Sequence, residues 1–147
     1  VLEAAALFLG DVYVWGGRSS FQLKPGWGVD CSGLVHVAFR AAGLTVPRDA
    51  DAQFLKAAPR RRADLQPGDL VFLTESSRSK RVNHVLFFTG GDGLLESRVS
   101  AGKAVRTTFL ERFGAALESL EDGAAVTDLT GKRPFKRRIH FGSLLEP

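Results

Sequence analysis

The chain has 147 residues, of which 44% are hydrophobic and 24% are charged, and its 20 basic and 16 acidic side chains give a net charge of +4. This length suffices for one domain with a core that needs neither disulfides nor a structural metal, and we expect a single domain over residues 1–147. No apolar run approaches the roughly 20 residues that cross a bilayer, so we expect no transmembrane segment.

The opening stretch, VLEAAALFLG, predicts a helix over residues 2 to 9. It is short, contains Glu3 and lacks a basic leader, which is not typical of a signal peptide. Because the first residue is a valine, an upstream signal, membrane anchor or further domain stays open. The residues alone therefore constrain the location in the cell only weakly.

The most regular helical pattern begins at Cys31. Apolar residues recur there at helical spacing as far as Ala42, and Gly43 ends the pattern. A further short helix is expected over residues 49 to 57. Two helices thus follow each other in the first part of the chain.

The second half of the chain shows strand patterns separated by glycine-bearing turns. Strands are predicted in QPGDLVFL, VNHVLFFT, LLESRV, AVRTTF and PFKRRIHF, and a helix in TFLERFGAALESL. Helices followed by a mostly antiparallel sheet indicate an α+β fold, with N-terminal helices packed on a central sheet, rather than repeated βαβ units.

The single cysteine, Cys31, excludes an intrachain disulfide and a Cys-rich zinc site. With Asp30 as N-cap, Cys31 lies in the first turn of its helix, where free backbone N–H groups favour an anion. Such positions lower thiol pKa values from about 8.5 to roughly 3.5–7.5, and the same N–H groups can bind an oxyanion. Gly28 and Gly33 are expected to keep the approach to the sulfur open. The alternative is a buried cysteine that packs as a small hydrophobic residue.

Three histidines compete for the role of base. His36 lies five residues after Cys31 on the same helix, so its ring points away from the sulfur. His84 lies in an apolar strand, where a polar ring needs a partner. We expect the strand face that carries this ring to lie against the Cys31 helix. The residues of that face are Val82, His84, Leu86 and Phe88.

A histidine base needs an acceptor for its second ring nitrogen. Glu96 shares a strand face with Arg98 and is expected beside His84 across the ladder. His140, in the last strand, is the other candidate. The alternative for Glu96 is an ordinary surface residue paired with Arg98 or Lys103.

Basic residues cluster at positions 60–62, 78–81 and 132–138. Such clusters attract anionic polymers, including nucleic acid and cell-wall material, or they are solvated loops and strand ends. No nucleic-acid-binding motif accompanies them, so we expect no nucleic-acid partner.

Four motifs occur in one order along the chain, namely YVWGG, DCSG, PGDLVFL and NHV. In this order and spacing, over residues 13 to 109, they resemble the NlpC/P60 family of cysteine peptidases. The resemblance implies a papain-like α+β fold, in which a helix that carries the cysteine packs on an antiparallel sheet that carries the histidine.

The resemblance also implies roles for individual residues. Cys31 corresponds to the nucleophile, and His84 to the general base that later acts as an acid. The third polar residue of the family, usually His and sometimes Asn or Gln, falls on Glu96, which is a departure. Tyr13 matches a tyrosine near the cysteine whose hydroxyl assists at the oxyanion or the substrate.

The stretch VPRDADAQ is similar to a Pro-Arg-x-[Ser/Ala]-x-x-Gln segment of the family. This implies that Arg48, Asp49 and Gln53 line the cleft, with capping or packing as the alternative for Gln53. Asp30 and Ser32, beside the cysteine, are expected in the same oxyanion- and substrate-binding set.

The function implied by the resemblance is hydrolysis of amide bonds in bacterial cell-wall peptides through a thioester. The subgroup that looks closest acts on γ-D-glutamyl–diamino acid bonds, with diaminopimelate or lysine as the diamino acid. We therefore expect a peptidoglycan or muropeptide substrate, a monomer, and no metal or cofactor. The alternatives are acyltransfer or transamidation with the same Cys/His pair, and a non-catalytic domain that binds the cell wall.

The same resemblance bears on location. It implies a secreted, periplasmic or cell-wall-associated protein, with cytoplasmic recycling of muropeptides as the alternative.

Overall fold

The computed structural model describes residues 1–20 and 26–145; residues 21–25, in the glycine-rich loop, and residues 146–147 lie outside the described part. In this part the helices are α1, Leu2–Ala6; α2, Cys31–Ala41; α3, Ala50–Lys56; and α4, Phe109–Phe113. The strands are β1, Ala58–Pro59; β2, Leu70–Thr74; β3, Val82–Gly90; β4, Gly93–Arg98; β5, Lys103–Thr108; β6, Ala125–Asp128; and β7, Phe135–Ser143.

The strands form an antiparallel sheet in the order β1-β7-β2-β3-β4-β5, and β6 pairs with β7. Helices α2 and α3 pack on β3, near the middle of this order. The predicted α+β fold, with N-terminal helices on a central antiparallel sheet, is confirmed. Among the described residues, no helix has the length and apolar character needed to cross a membrane.

Both faces of the sheet are buried. On one face, Leu34 and Phe39 of α2 share a core with Phe72 and Phe87, and the rings of Phe39 and Phe87 stack with centroids 6.3 Å apart. Each such buried side chain contributes about 1.5–3 kcal/mol to folding. The opposite face has a second core, formed by Val71, Leu73, Leu86, Phe88, Ile139, Phe141, and Phe109 and Phe113 of α4.

The structure corrects the expected faces of β3. The residues that belong to the core with α2 are Val82, Val85 and Phe87, whereas Leu86 and Phe88 lie in the second core. The expectation that Val82, His84, Leu86 and Phe88 form one face against α2 is therefore right for Val82 and for His84, which meets Cys31, and wrong for Leu86 and Phe88.

A bulge at the start of β3 causes this change. Leu73 pairs with His84, but Thr74 pairs with Val82, so Asn83 is an extra residue without a partner in β2. Such a bulge interrupts the alternation of faces and bends the strand. His84 lies directly after the extra residue.

The predicted elements differ from the observed ones mainly at their ends. Helix α1 ends at Ala6, before the predicted limit. Helix α4 is short because Gly114 adopts a φ of 67° and ends it, and a 3₁₀ turn follows at Leu117–Ser119. The short strands β1 and β6 were not predicted.

Candidate active site

Asp30 fixes the start of α2. Its backbone is extended, with φ of −89° and ψ of −175°, and its Oδ1 accepts a hydrogen bond of 2.7 Å from the N–H of Gly33. The predicted N-cap is thus confirmed. Cys31 is the first residue of the helix and is 8% exposed, at a position where free N–H groups and the helix dipole favour an anion.

The loop before α2 is tied to the same carboxylate. Oδ2 of Asp30 accepts hydrogen bonds from the N–H of Gly16 at 2.8 Å and from Nη2 of Arg48 at 2.9 Å. Arg48 also donates to the carbonyl of Gly17 at 3.1 Å and to the hydroxyl of Ser32 at 2.9 Å. Asp30, Ser32 and Arg48 line the cleft, and their hydrogen bonds hold the loop on α2. The expected part of Asp30 and Ser32 in oxyanion or substrate binding stays a prediction.

Gly28 and Gly33 allow this loop to pack closely. A Cβ on Gly33 would lie 2.0 Å from the carbonyl oxygen of Gly17, and one on Gly28 would lie 2.1 Å from the carbonyl oxygen of Val12. No side chain fits at such distances from backbone atoms. The two glycines therefore serve loop packing, whereas we had expected them to clear the approach to the sulfur.

The ring of His84 is the neighbour whose charge and hydrogen bonding act on the thiol of Cys31. Its sulfur also lies 4.0 Å from the carbonyl oxygen of Asn83. Both neighbours belong to the bulge of β3. The irregular start of this strand therefore meets the start of α2.

Glu96 holds the other side of the imidazole. Nε2 of His84 lies 3.0 Å from Oε1 of Glu96, whose side chain is fully buried. Nδ1 is then the ring nitrogen that faces Cys31. Because Phe87 pairs with Leu95, Glu96 lies diagonally from His84 and not directly opposite it. The structure thus places the side chains of Cys31, His84 and Glu96 in successive contact.

The charges of these three groups favour one another. Burial raises the pKa of Cys31, but the positive charge and hydrogen bond of His84 lower it by more, so that it lies below the usual value of 9.0. Burial lowers the pKa of His84, whereas Cys31 and Glu96 raise it, to about 9. A thiolate–imidazolium pair is therefore the favoured state at neutral pH.

Further buried charged side chains extend this series of contacts beyond Glu96. Nε of Arg112 lies 3.0 and 3.3 Å from the two carboxylate oxygens of Glu96, and its Nη1 donates to Asp128. Asp128 also accepts a hydrogen bond of 2.8 Å from Arg137, which donates in turn to the side-chain oxygen of Asn83. The contacts therefore return to β3, beside the imidazole.

Arg112, Asp128 and Arg137 were not identified from the sequence, although two of them carry a signal. Arg112 lies three residues after the buried Phe109, on the same helical face. Arg137 lies two residues before the buried Ile139, on the same face of β7. A charged residue at an apolar position of a pattern indicates a buried ion pair.

His140 and His36 lie outside the candidate cleft. The ring of His140 packs on Phe54 with centroids 5.0 Å apart, and its Nδ1 lies 3.6 Å from Asp122. Nδ1 of His36 lies 3.0 Å from the carbonyl oxygen of Val46. Glu96, and not His140, is therefore the acceptor beside the second ring nitrogen of the candidate base.

Tyr13 lies at the cleft beside the cysteine. Burial, followed by the negative charges of Cys31 and Asp30, raises the pKa of its phenol to about 12. The phenol therefore keeps its proton and can donate a hydrogen bond.

Gln53 does not line the cleft. Its side chain is fully buried, and its Nε2 donates to the carbonyls of Ser32 and Pro47 at 3.0 and 2.8 Å. It links the first turn of α2 to the segment before α3, which is the packing alternative. Asp49 does line the cleft, as expected.

The cleft has a volume of about 1120 Å³. Its lining includes the exposed cations Arg18, Arg81 and Lys132 and the exposed rings of Trp15 and Phe135. An excess of positive charge at the opening suits an anionic substrate. In the described part of the chain, no group of three or more His, Cys, Asp or Glu side chains is placed to hold a metal ion.

A comparison with protein families matches residues 10–116 to the NlpC/P60 family. The chain belongs to the NlpC/P60 family. The matched range includes Cys31, His84, Glu96 and Arg112, whereas Asp128 and Arg137 follow it.

Two relatives of this chain are peptidases by name. A gamma-D-glutamyl-L-lysine dipeptidyl-peptidase of Bacillus subtilis is 34% identical over 105 residues, which are 71% of this chain and 33% of that protein. The murein DD-endopeptidase MepH of Escherichia coli is 34% identical over 105 residues, which are 69% of this chain and 36% of that protein. The chain thus spans about a third of the length of these relatives.

Solved NlpC/P60 structures share the fold. An NlpC/P60 family protein from Bacillus cereus matches with a TM-score of 0.65 and 29% identity, over 74% of this chain and 33% of that one. RipD from Mycobacterium tuberculosis, described as a non-catalytic NlpC/p60 domain protein adapted to peptidoglycan binding, matches with a TM-score of 0.65 and 16% identity, over 98% of this chain and 94% of that one. The fold alone therefore does not separate catalytic from non-catalytic members.

Proposed function

We propose that this domain is a cysteine peptidase that hydrolyses an amide bond in peptidoglycan stem peptides. Cys31 is the nucleophile, His84 the general base and then acid, and Glu96 the residue that orients His84. The observation that carries the proposal is the unbroken contact from the thiol of Cys31 through the imidazole to a buried carboxylate, at the edge of an open cleft. A cysteine that only packs in the core does not require this series of contacts.

Acylation begins when the thiolate of Cys31 attacks the carbonyl carbon of the scissile amide. The N–H groups in the first turn of α2 that are not bonded to Asp30 stabilise the oxyanion, with the phenol of Tyr13 as a further donor. His84, as imidazolium, gives its Nδ1 proton to the leaving amine while the C–N bond breaks. The acyl group stays on the sulfur as a thioester.

Deacylation reverses the role of the histidine. Neutral His84 takes a proton from a water molecule, whose oxygen attacks the thioester carbon. The C–S bond then breaks, a carboxylic acid leaves, and the thiolate–imidazolium pair is restored. Glu96 accepts the Nε2–H bond throughout.

The bond that we propose is the one between the γ-carboxyl of D-glutamate and a diamino acid. The name of the Bacillus subtilis relative supports this choice. The exposed cations Arg18, Arg81 and Lys132 suit the several carboxylates of stem peptides. The name of the Escherichia coli relative refers to a different bond, a DD-peptide bond, so the test has to offer both.

The test is incubation of the chain with purified muropeptides that contain both bonds, in H₂¹⁸O, followed by mass spectrometry. We expect a new γ-carboxyl that contains ¹⁸O and a free amine on the diamino acid, and no product from the Cys31→Ala variant. A product joined to an added amine indicates acyltransfer. Binding without turnover, unchanged in Cys31→Ala, favours a non-catalytic wall-binding domain.

A further inference from the structure

Glu96 and Arg112 form a buried ion pair directly behind the imidazole of His84. Glu96 is 1% exposed and Arg112 is 2% exposed. Nε of Arg112 contacts both oxygens of Glu96, while Nη1 contacts Asp128. One guanidinium thus holds two carboxylates through different edges, which a lysine ammonium cannot reproduce.

Charges alternate along the buried chain. With Cys31 as thiolate and His84 as imidazolium, the six groups sum to zero. In order, they are Cys31, His84, Glu96, Arg112, Asp128 and Arg137. Without Arg112, the three groups at the cleft would hold one net negative charge in a buried site, and the nearest remaining cation, Arg98, contacts Glu96 only at 3.7 Å.

We propose that Arg112 is a positioning residue for the Cys31–His84 pair, because it keeps Glu96 ionised and directed at the imidazole. The inference rests on the proposed function of Cys31 and His84. It contains a condition that can be tested: Arg112 supports the pair only while position 96 carries a negative charge.

The other charged groups near Cys31 and His84 do not bind both oxygens of Glu96 as Arg112 does. Nε of Arg98, on the cleft side, lies 3.7 Å from Oε1 of Glu96. At the start of β3, Asp51 accepts a hydrogen bond of 3.0 Å from the N–H of Val82, and Arg81 is exposed. The other charged or titratable groups that line the cleft are Tyr13, Arg18, Asp30, Arg48, Asp49, Asp128, Lys132 and Arg137.

The experiment measures the rate at which iodoacetamide alkylates Cys31 as a function of pH, which reports the thiolate without any peptide substrate. In the unaltered chain we expect fast alkylation to extend below neutral pH. The acid limb of this profile is the pH range over which the alkylation rate rises. In Arg112→Met we expect the acid limb to lie about one pH unit or more higher, because Glu96 takes up a proton and no longer stabilises the imidazolium. Arg112→Lys moves it less, and Arg106→Met, which removes an exposed arginine of β5, leaves it unchanged.

A double-variant cycle tests the condition at position 96. Glu96→Gln leaves Arg112 paired only with Asp128. The buried groups then carry one excess positive charge, which disfavours the imidazolium, so the acid limb again moves upward. The double variant Glu96→Gln/Arg112→Met lacks both charges, and we expect its limb to lie below that of Glu96→Gln. The loss of Arg112 then has opposite effects in the two backgrounds.

Two results overturn the inference. The first is an acid limb of Arg112→Met at the same pH as that of the unaltered chain. The second is a pH shift of the acid limb in the double variant that equals the sum of the shifts in the two single variants. Circular dichroism checks that each variant is folded. If Arg112→Met does not fold, Arg112→Lys and the comparison of Glu96→Gln with the double variant decide. If the acid limbs of the variants shift but the unaltered chain cleaves no muropeptide, the proposed function alone is refuted. If the unaltered chain cleaves muropeptides but the acid limbs do not shift, the role of Arg112 alone is refuted.

Discussion

Nε2 of His84 lies 3.0 Å from Oε1 of Glu96, and this contact turns Nδ1 of the ring toward the thiol of Cys31. The carboxylate of Glu96 is ionised, because the hydrogen bond and charge of His84, and then those of Arg112, lower its pKa by more than burial raises it. The imidazole is thus held between two anions, which keeps its proton on the ring at neutral pH.

The pH dependence of peptide cleavage follows from this arrangement. We expect kcat/KM to rise with pH as the thiol of Cys31 ionises, at a pH below its usual pKa, and to fall near pH 9 as His84 loses the proton that the leaving amine needs. The measurement is a rate profile from pH 4 to pH 10 with one muropeptide. A profile that keeps rising through pH 9 contradicts the assignment of His84 as the acid.

The two histidines on the sheet provide a matched pair of variants. His84→Ala is expected to lower kcat/KM by about 10²–10⁴-fold, because it removes the general base and acid. His140→Ala is expected to retain activity, because its ring packs on Phe54 outside the cleft, and to lose only about 0.5–1.5 kcal/mol of stability. The measurements are kcat/KM and urea unfolding for both variants. Loss of activity in a folded His140→Ala variant would assign the role of general base and acid to His140 in place of His84.

Asp128 makes stability depend on pH in the acid range. Burial raises its pKa, but the hydrogen bonds from Thr130, the charge of Arg112 and the hydrogen bond from Arg137 lower it by more, to well below 3.8. A lowered pKa in the folded state contributes stability that is fully present above the unfolded value and is lost as the pH falls through the folded value. We therefore expect Asp128→Asn to be about 3–5 kcal/mol less stable than wild type at pH 7.

The difference in the free energy of unfolding between Asp128→Asn and wild type is expected to narrow as the pH falls from about 4 toward 2, because Asp128 of the unfolded wild-type chain then takes up a proton while that of the folded chain stays ionised. Urea unfolding at several pH values measures it. The exposed Asp64, which pairs with Arg61 at the surface, provides the control variant Asp64→Asn, for which we expect little change at pH 7. A gap of constant size across this range contradicts the assigned charge state of Asp128.

Local patterns in the sequence predicted the parts of the site that depend on local structure. The helix after Asp30 and the strands that carry His84 and Glu96 follow from spacing, capping and alternation. The bulge that places His84 at α2 depends on how β2 pairs with β3, which no local pattern contains. The spacing of Arg137 and Ile139 indicates that Arg137 is buried, but no local pattern names its contact with Thr74, which lies 63 residues away along the chain.

Gly33 tests how closely the loop before α2 must pack. In Gly33→Ala, the new Cβ meets the carbonyl oxygen of Gly17 at 2.0 Å and Oδ1 of Asp30 at 2.8 Å. Because neither atom can move without breaking a hydrogen bond of the N-cap or the loop, we expect a loss of about 1–3 kcal/mol or more in the free energy of unfolding. Tyr13 moves with the displaced loop, so kcat/KM falls as well. The control is Gly131→Ala, whose nearest contact is 3.3 Å, and equal stability of the two variants in urea would show that the loop does not require the glycine.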